Sequence, residues 1–183
     1  MLRRFAAVVA LSLTLAATSV PAFALPPYND DFADAEVIDV FTLYQYASAE
    51  PSEATTEDGE NACASNLSVW YTFTLEASIE LGFYVLAYDT DGVTDYPIPT
   101  VETHVGLYQQ GAPEPTLLRC DTGGSAHDVT YRQTLDAGTY YVQIGAAAGT
   151  APDKYHLVVG VPPSNDTLAS ALPVTPTGEH FTT

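Results

Sequence analysis

The sequence predicts an all-β protein, an antiparallel two-sheet sandwich of jelly-roll type with about eight strands. Three observations lead there. From Val37 onward the apolar residues recur with period two, as on a pleated strand with one face buried. The stretches concerned are rich in Val, Ile, Thr, Tyr and Phe, which suit a half-buried sheet surface. Clusters of Gly, Pro, Asp and Asn punctuate them, and no segment past the first two dozen residues sustains a helical period.

The first 24 residues stand apart. Arg3 and Arg4 precede an apolar run from Phe5 to Ala17, and Ala22-Phe23-Ala24 forms a small-x-small site, the build of a secretory signal peptide. The run is too short to span a bilayer. Strands are then expected at Val37–Leu43, Ser68–Leu75, Ile79–Tyr88, Thr103–Gln109, Thr116–Cys120, Val129–Leu135, Thr139–Gly145 and Tyr155–Val161. In the second, Val69, Tyr71, Phe73 and Leu75 share one face and Trp70, Thr72 and Thr74 the other. The turn chemistry of Asp136-Ala137-Gly138 makes the sixth and seventh strands an expected hairpin.

Charge excludes whole classes of function. Without residues 1–24 the chain has 183 − 24 = 159 residues, with 23 acidic side chains against three basic ones, a formal charge of −20. Nucleic-acid phosphates and anionic headgroups attract proteins through Lys and Arg, so nucleic-acid binding and membrane association are excluded, and no later apolar stretch is long enough for membrane insertion. Divalent-cation binding, adaptation to salt and plain solvation all accommodate the acid excess. Two cysteines, Cys63 and Cys120, lie 57 positions apart, which fits no metal-ligand pattern. In an oxidising compartment a single disulfide is their simplest use, and two separate buried thiols are the alternative.

The chain also rhymes with itself. Pro-Pro-Tyr-Asn-Asp-Asp-Phe-Ala-Asp-Ala from Pro26 returns as Pro-Pro-Ser-Asn-Asp-Thr-Leu-Ala-Ser-Ala from Pro162, an offset of 165 − 29 = 136 positions. The expected organisation is therefore a signal peptide (1–24), one β-sandwich module (25–161) and the start of a second, truncated copy (162–183), as in a tandem protein. A Pro-rich tail that happens to match is the plainer alternative.

Several of these stretches together resemble bacterial pre-peptidase C-terminal domains. They are the Asn29-Asp30 opening, the Ala-x-x-Glu-x-Gly-Glu stretch ending at Gly59 and Glu60, Ser68-Val-Trp-Tyr-Thr-Phe-Thr74, Leu107-Tyr108, Cys120-Asp121, and Gly138-Thr-Tyr-Tyr-Val-Gln-Ile-Gly145. The resemblance covers nearly all of residues 26–161 and extends to the collagen-binding modules of clostridial collagenases. It implies a jelly-roll sandwich, a non-catalytic accessory role in a secreted bacterial protein, and Ca²⁺ near the Asn-Asp opening, carried over to Asn29 and Asp30. The chain departs from the family at Val101-Glu102-Thr103, where an aromatic-Asp-Thr is common, and at Asp121-Thr122, where paired aspartates often follow the cysteine.

Two places offer oxygen ligands for a hard cation: Asn29, Asp30 and Asp31 at the opening, and Asp89, Asp91 and Asp95 in a D-x-D-G run. An Asx turn explains the first equally well and a solvated strand-to-strand turn the second. The second run is no EF-hand, since Thr100 stands at the twelfth position. Catalytic signatures are missing: there is no Gly-x-Ser-x-Gly, His-Glu-x-x-His or glycine-rich phosphate loop. His104, His127, His156 and His180 form no recognisable set, and the reading is that the chain is not an enzyme. Among twelve tyrosines, Tyr84, Tyr88 and Tyr141 point away from the apolar set of their strands and are the candidates for a ligand-binding platform. An extended extracellular polymer, a polysaccharide or a fibrous protein, suits such a surface, and packing against another sheet is the alternative. The functional expectation is a secreted accessory or adhesive module whose partners are such a polymer or the neighbouring domains of a longer chain. The other readings are the non-catalytic N-terminal part of a larger secreted hydrolase and a carbohydrate-binding module.

Overall fold

Strands form where β-branched and aromatic residues alternate with polar ones, and they end at the Gly, Pro and Asp clusters. A computed structural model describes residues 25–41, 45–51, 53–56, 63, 66–90, 93–97, 101–123, 129–147 and 152–163, with the backbone alone at 45–49, 66 and 95–97. The expected signal peptide and residues 164–183 of the expected second copy lie outside the described residues. Among the described residues a 3₁₀ turn at Phe32–Asp34 precedes ten strands. These are β1 (Glu36–Val37), β2 (Gln45–Ala49), β3 (Asn66–Leu75), β4 (Ile79–Thr90), β5 (Asp95–Pro97), β6 (Thr103–Gln109), β7 (Thr116–Thr122), β8 (Val129–Leu135), β9 (Gly138–Ala146) and β10 (Lys154–Gly160).

Two sheets pack face to face. The first has the order β1-β3-β9-β6-β7 and is antiparallel except for the short β1, which runs parallel to β3. The second has the order β2-β10-β4-β5. Its central strand, β4, is long enough to pair β10 along one edge and both β8 and β5 along the other. Val69, Tyr71, Phe73 and Leu75 of β3 and Val142 and Ile144 of β9 meet Leu81, Phe83 and Val85 of β4 and Leu157 and Val159 of β10 in one core. Seven of the expected strands coincide with observed ones to within two residues at either end, and the face assigned to the β3 core is the buried one. The chain is a two-sheet β-sandwich.

Three expectations change. Of the strand expected over Val37–Leu43, residues 42 and 43 lie outside the described residues, and 38–41 leave the strand after Glu36–Val37, because the Asp39 carboxylate accepts from the Phe41 N–H at 2.9 Å and turns the chain. The pairing of β4 with Asp95–Pro97 is too short to show in the alternation. The expected hairpin between Val129–Leu135 and Thr139–Gly145 does not form: β8 joins β4 in the second sheet and β9 joins β3 and β6 in the first. Hairpin and sheet-to-sheet arch both place Leu135 and Tyr140 inward, so alternation cannot separate them. Gly138 takes φ +157°, and the Tyr140 hydroxyl donates to the Asp136 carbonyl at 2.9 Å, which holds the arch.

Candidate ligand-binding face

The two outer faces differ. That of the first sheet is covered. Asn29, buried at 1% exposure, donates from its side-chain amide to the Trp70 main-chain carbonyl (3.0 Å), and its main-chain carbonyl accepts from the Trp70 N–H (2.8 Å). This closes the edge of β3 beyond the reach of β1. Phe32 then lies edge-on to both Trp70 and Tyr141, with ring centroids 6.1 and 6.3 Å away. Farther across, Cys63 and Cys120 form the disulfide and set the Cys63 backbone over β6, where its carbonyl lies 3.1 Å from His104 Nδ1. Beneath this cover Trp70 packs on Tyr108, whose hydroxyl donates to the buried Gln143 carbonyl at 2.6 Å.

The Asn-Asp opening is part of that cover. Both Asp30 carboxylate oxygens accept from Thr55, and Asp31 accepts from the Ala33 N–H at 2.9 Å to cap the 3₁₀ turn. Of the side-chain oxygens of Asn29, Asp30 and Asp31, Asn29 Oδ1 is the one buried with no hydrogen-bond partner. Among the described residues no three His, Cys, Asp or Glu side chains gather as a cation cage would require. Nearby, burial and a hydrogen bond to Glu36 push Tyr28 up to about 12, and burial raises Tyr71 beside the same carboxylate. Asp89 stands exposed near the end of β4; Asp95 pairs Thr90 through the backbone, and Asp91 lies outside the described residues. Of the histidines, His104 is in the first sheet, 3.5 Å from Glu102, and His156 is in the second, its ring tilted against that of Tyr88 with centroids 4.2 Å apart. His127 and His180 lie outside the described residues.

The outer face of the second sheet carries a trough of about 290 Å³. In register across the strands, Arg132 of β8, Gly82 of β4 and Gly160 of β10 form one row, and Thr130, Tyr84 and Val158 form the next. Two glycines side by side leave the strand backbone bare as a floor, with Tyr84 and Val158 on one side and the Val161–Pro163 segment on the other. A Cβ placed on Gly82 would sit 3.6 Å from Pro162 Cγ, ordinary contact, so Gly82 is not required there by crowding. Along β4 the face then closes, since Leu86 and His156 are each 8% exposed.

Of the three tyrosines singled out by alternation, Tyr84 lines the trough and Tyr88 lies on the same face beyond Leu86. Tyr141 stands on the outer face of the other sheet against Phe32, so the three do not form one platform. Sequence reading passes over Arg132, Gly82 and Gly160. The glycines, Gly82 inside β4 and Gly160 at the end of β10, were the available signal, because Gly in a strand marks a place where something approaches the backbone.

No protein-family profile matches the chain, and no curated protein matches it in sequence. Solved structures do. The chain is similar to the pre-peptidase C-terminal domain of collagenase from Bacillus anthracis, at 13% identity and a TM-score of 0.45, over 68% of this chain and 93% of that one. It is also similar to CorA, a surface-associated copper-binding protein of Methylomicrobium album BG8 (7% identity, TM-score 0.45, 70% of this chain and 98% of that one). A carbohydrate-binding module of Cellvibrio mixtus lichenase 5A, in complex with cellotriose, is similar at 14% identity and a TM-score of 0.30, over 66% and 88% of the two chains. A domain of the kind that residues 26–161 resemble is thus among the structures to which the chain is similar.

Proposed function

We propose that the chain is a secreted, non-catalytic β-sandwich module of a tandem or longer protein, which holds an extracellular polymer in the trough of its second sheet. One observation carries this reading. The first sheet's outer face is roofed by the Asn29–Phe32 segment and the disulfide, while the second sheet's is open at a glycine-floored trough walled by an aromatic ring. Tyrosine offers broad contact area at low entropic cost and keeps a hydrogen-bonding tip, which suits a sugar ring or a side chain of a fibrous protein. The experiment is retention of the secreted chain on insoluble polysaccharides and on collagen fibrils. The expected result is binding to one of them that Tyr84→Ala abolishes with the melting temperature kept. Binding that survives Tyr84→Ala overturns the trough as its site.

Calcium enters the proposal at the opening alone, where Asn29 Oδ1 is a buried oxygen without a partner. Millimolar Ca²⁺ is expected to raise the melting temperature, since extracellular modules bind it at roughly 10⁻⁴ to 10⁻³ M. Asn29→Ala with Asp30→Ala is expected to erase the rise. A melting temperature indifferent to Ca²⁺ removes the ion from the reading.

A further inference from the structure

We infer that the trough takes one ring of an uncharged, β-1,4-linked polysaccharide, laid flat on the backbone strip that Gly82 leaves bare. This inference rests on the polymer reading above and names the polymer's chemical class.

Three observations point to it. The first is a glycine that the fold itself does not call for. Gly82 lies inside the central strand, where glycine weakens a sheet through its backbone freedom and its lack of a side chain to pack. Among the described residues a Cβ there would meet nothing nearer than Pro162 Cγ at 3.6 Å, and Gly82 does not take a positive φ. Neither crowding nor backbone conformation requires a glycine, and what remains is the surface that its missing side chain uncovers.

The second is what that surface offers. Gly82 has a ladder partner on either side, Gly160 and Arg132, so the peptide groups of the floor are directed within the sheet toward the neighbouring strands and not up into the trough. Tyr84, Val158 and Pro162 stand around this flat strip. A polypeptide laid on it would cover its own N–H and C=O groups against a surface that cannot satisfy them, which is costly. A pyranose with equatorial hydroxyls has C–H bonds on both faces and its polar groups along the rim, where water and the hydroxyl of the exposed Thr130 meet them. Equatorial 1,4 linkages keep successive rings in a flat ribbon. A trough of about 290 Å³ is at the small end of ligand sites, which run from roughly 300 to 1,000 Å³, and seats one such ring, with Leu86 and His156 closing the face beyond it.

The third is charge. A chain of net charge −18 repels a polyanion. Among the described residues that line the trough the charged one is Arg132, which disfavours a cationic ring there. Arg132 is already engaged in an interaction of its own, so an uncharged ligand leaves its charge as it stands. Tyr84 is engaged as well, and it serves as a wall beside which the sugar packs rather than as a hydrogen-bonding partner.

The test is depletion of the full chain from solution by amorphous cellulose, unsubstituted xylan, carboxymethylated cellulose and collagen fibrils. Depletion by cellulose or xylan and not by the carboxymethylated form is the expected result. On the uncharged polymer it should be unchanged from about 0.1 to 1 M salt, over which the screening length falls from about 10 to 3 Å. Gly82→Ala, whose methyl lifts the ring off the floor, should weaken binding about tenfold or more at an unchanged or higher melting temperature. Tyr84→Ala should abolish it. Undiminished binding by Gly82→Ala, or equal depletion by the charged and uncharged celluloses, overturns the inference. Tyr84-dependent retention on collagen alone also overturns it and leaves the polymer reading standing. No Tyr84-dependent retention on any of these overturns both.

Discussion

Asp30 and Thr55 lie 25 residues apart and are joined twice, the two carboxylate oxygens accepting from the Thr55 N–H and from its hydroxyl, each at 2.7 Å. With Asn29 bonded to Trp70 in the preceding position, this pair pins the segment that roofs the first sheet. The acidic opening thus has a structural task that needs no metal. Asp30→Ala is expected to cost about 1–2 kcal/mol, the scale of a charge-assisted hydrogen bond near the surface. Urea unfolding in the presence of a chelator checks it, and an unchanged midpoint there would show that the pair contributes nothing.

The Cys63 to Cys120 bond closes a loop of 57 positions, and in the chain-entropy account its loss costs roughly 4 kcal/mol. Cys63→Ser with Cys120→Ser should lower the melting temperature accordingly. Trp70, the single tryptophan, packs on Tyr108, which shares the space over Gly106 with Cys63, so its emission should shift to the red in the same variant.

Gly106 is small for a reason that lies across the sheet face. A Cβ there would stand 2.5 Å from Tyr108 Cε2 and 3.1 Å from Cys63 Cβ. Tyr108 cannot swing aside, because Trp70 packs on its ring and Gln143 takes its hydroxyl. Gly106→Ala is expected to destabilise by about 1–3 kcal/mol, the range for overpacking a filled site. Thermal unfolding tests this, with Gly82→Ala as the tolerated comparison.

Tyr155 is fully buried, its hydroxyl has no hydrogen-bond partner, and burial raises its pKa. Burial does the same to Tyr71 and Tyr131. The folded state therefore holds these protons more tightly than the unfolded chain, whose tyrosines titrate near 10. Their full contribution is present below about pH 10 and is lost as pH rises toward the folded values, by about 1.4 kcal/mol per pH unit for each such group. Tyr155→Phe should raise stability at neutral pH by about 1 kcal/mol, since no bond is lost with the hydroxyl. It should also make the alkaline decline shallower by one such slope. Urea titrations at about pH 9, 10 and 11 read both effects, and an unchanged slope would contradict the burial account.

Much of the architecture was legible in the chain before any coordinates. Period-two alternation marks the Val69 to Leu75 face, the β6 strand and the all-β class, because a strand with one buried face writes that burial directly into its residues. An even pair of cysteines, in a chain whose opening reads as a secretory signal, likewise pointed to the disulfide that the fold contains. Alternation says which side of a strand is buried but not which strand lies beside it. That is why the arch at Gly138 reads as a hairpin, and why Tyr84 and Tyr141 look equivalent although they stand on opposite outer faces. Register across β8, β4 and β10 brought Arg132, Gly82 and Gly160 into one row from positions up to 78 apart, 160 − 82. The trough is a property of that long-range pairing, a matter of which backbones hydrogen-bond to which, and local patterning carries no sign of it beyond its two glycines.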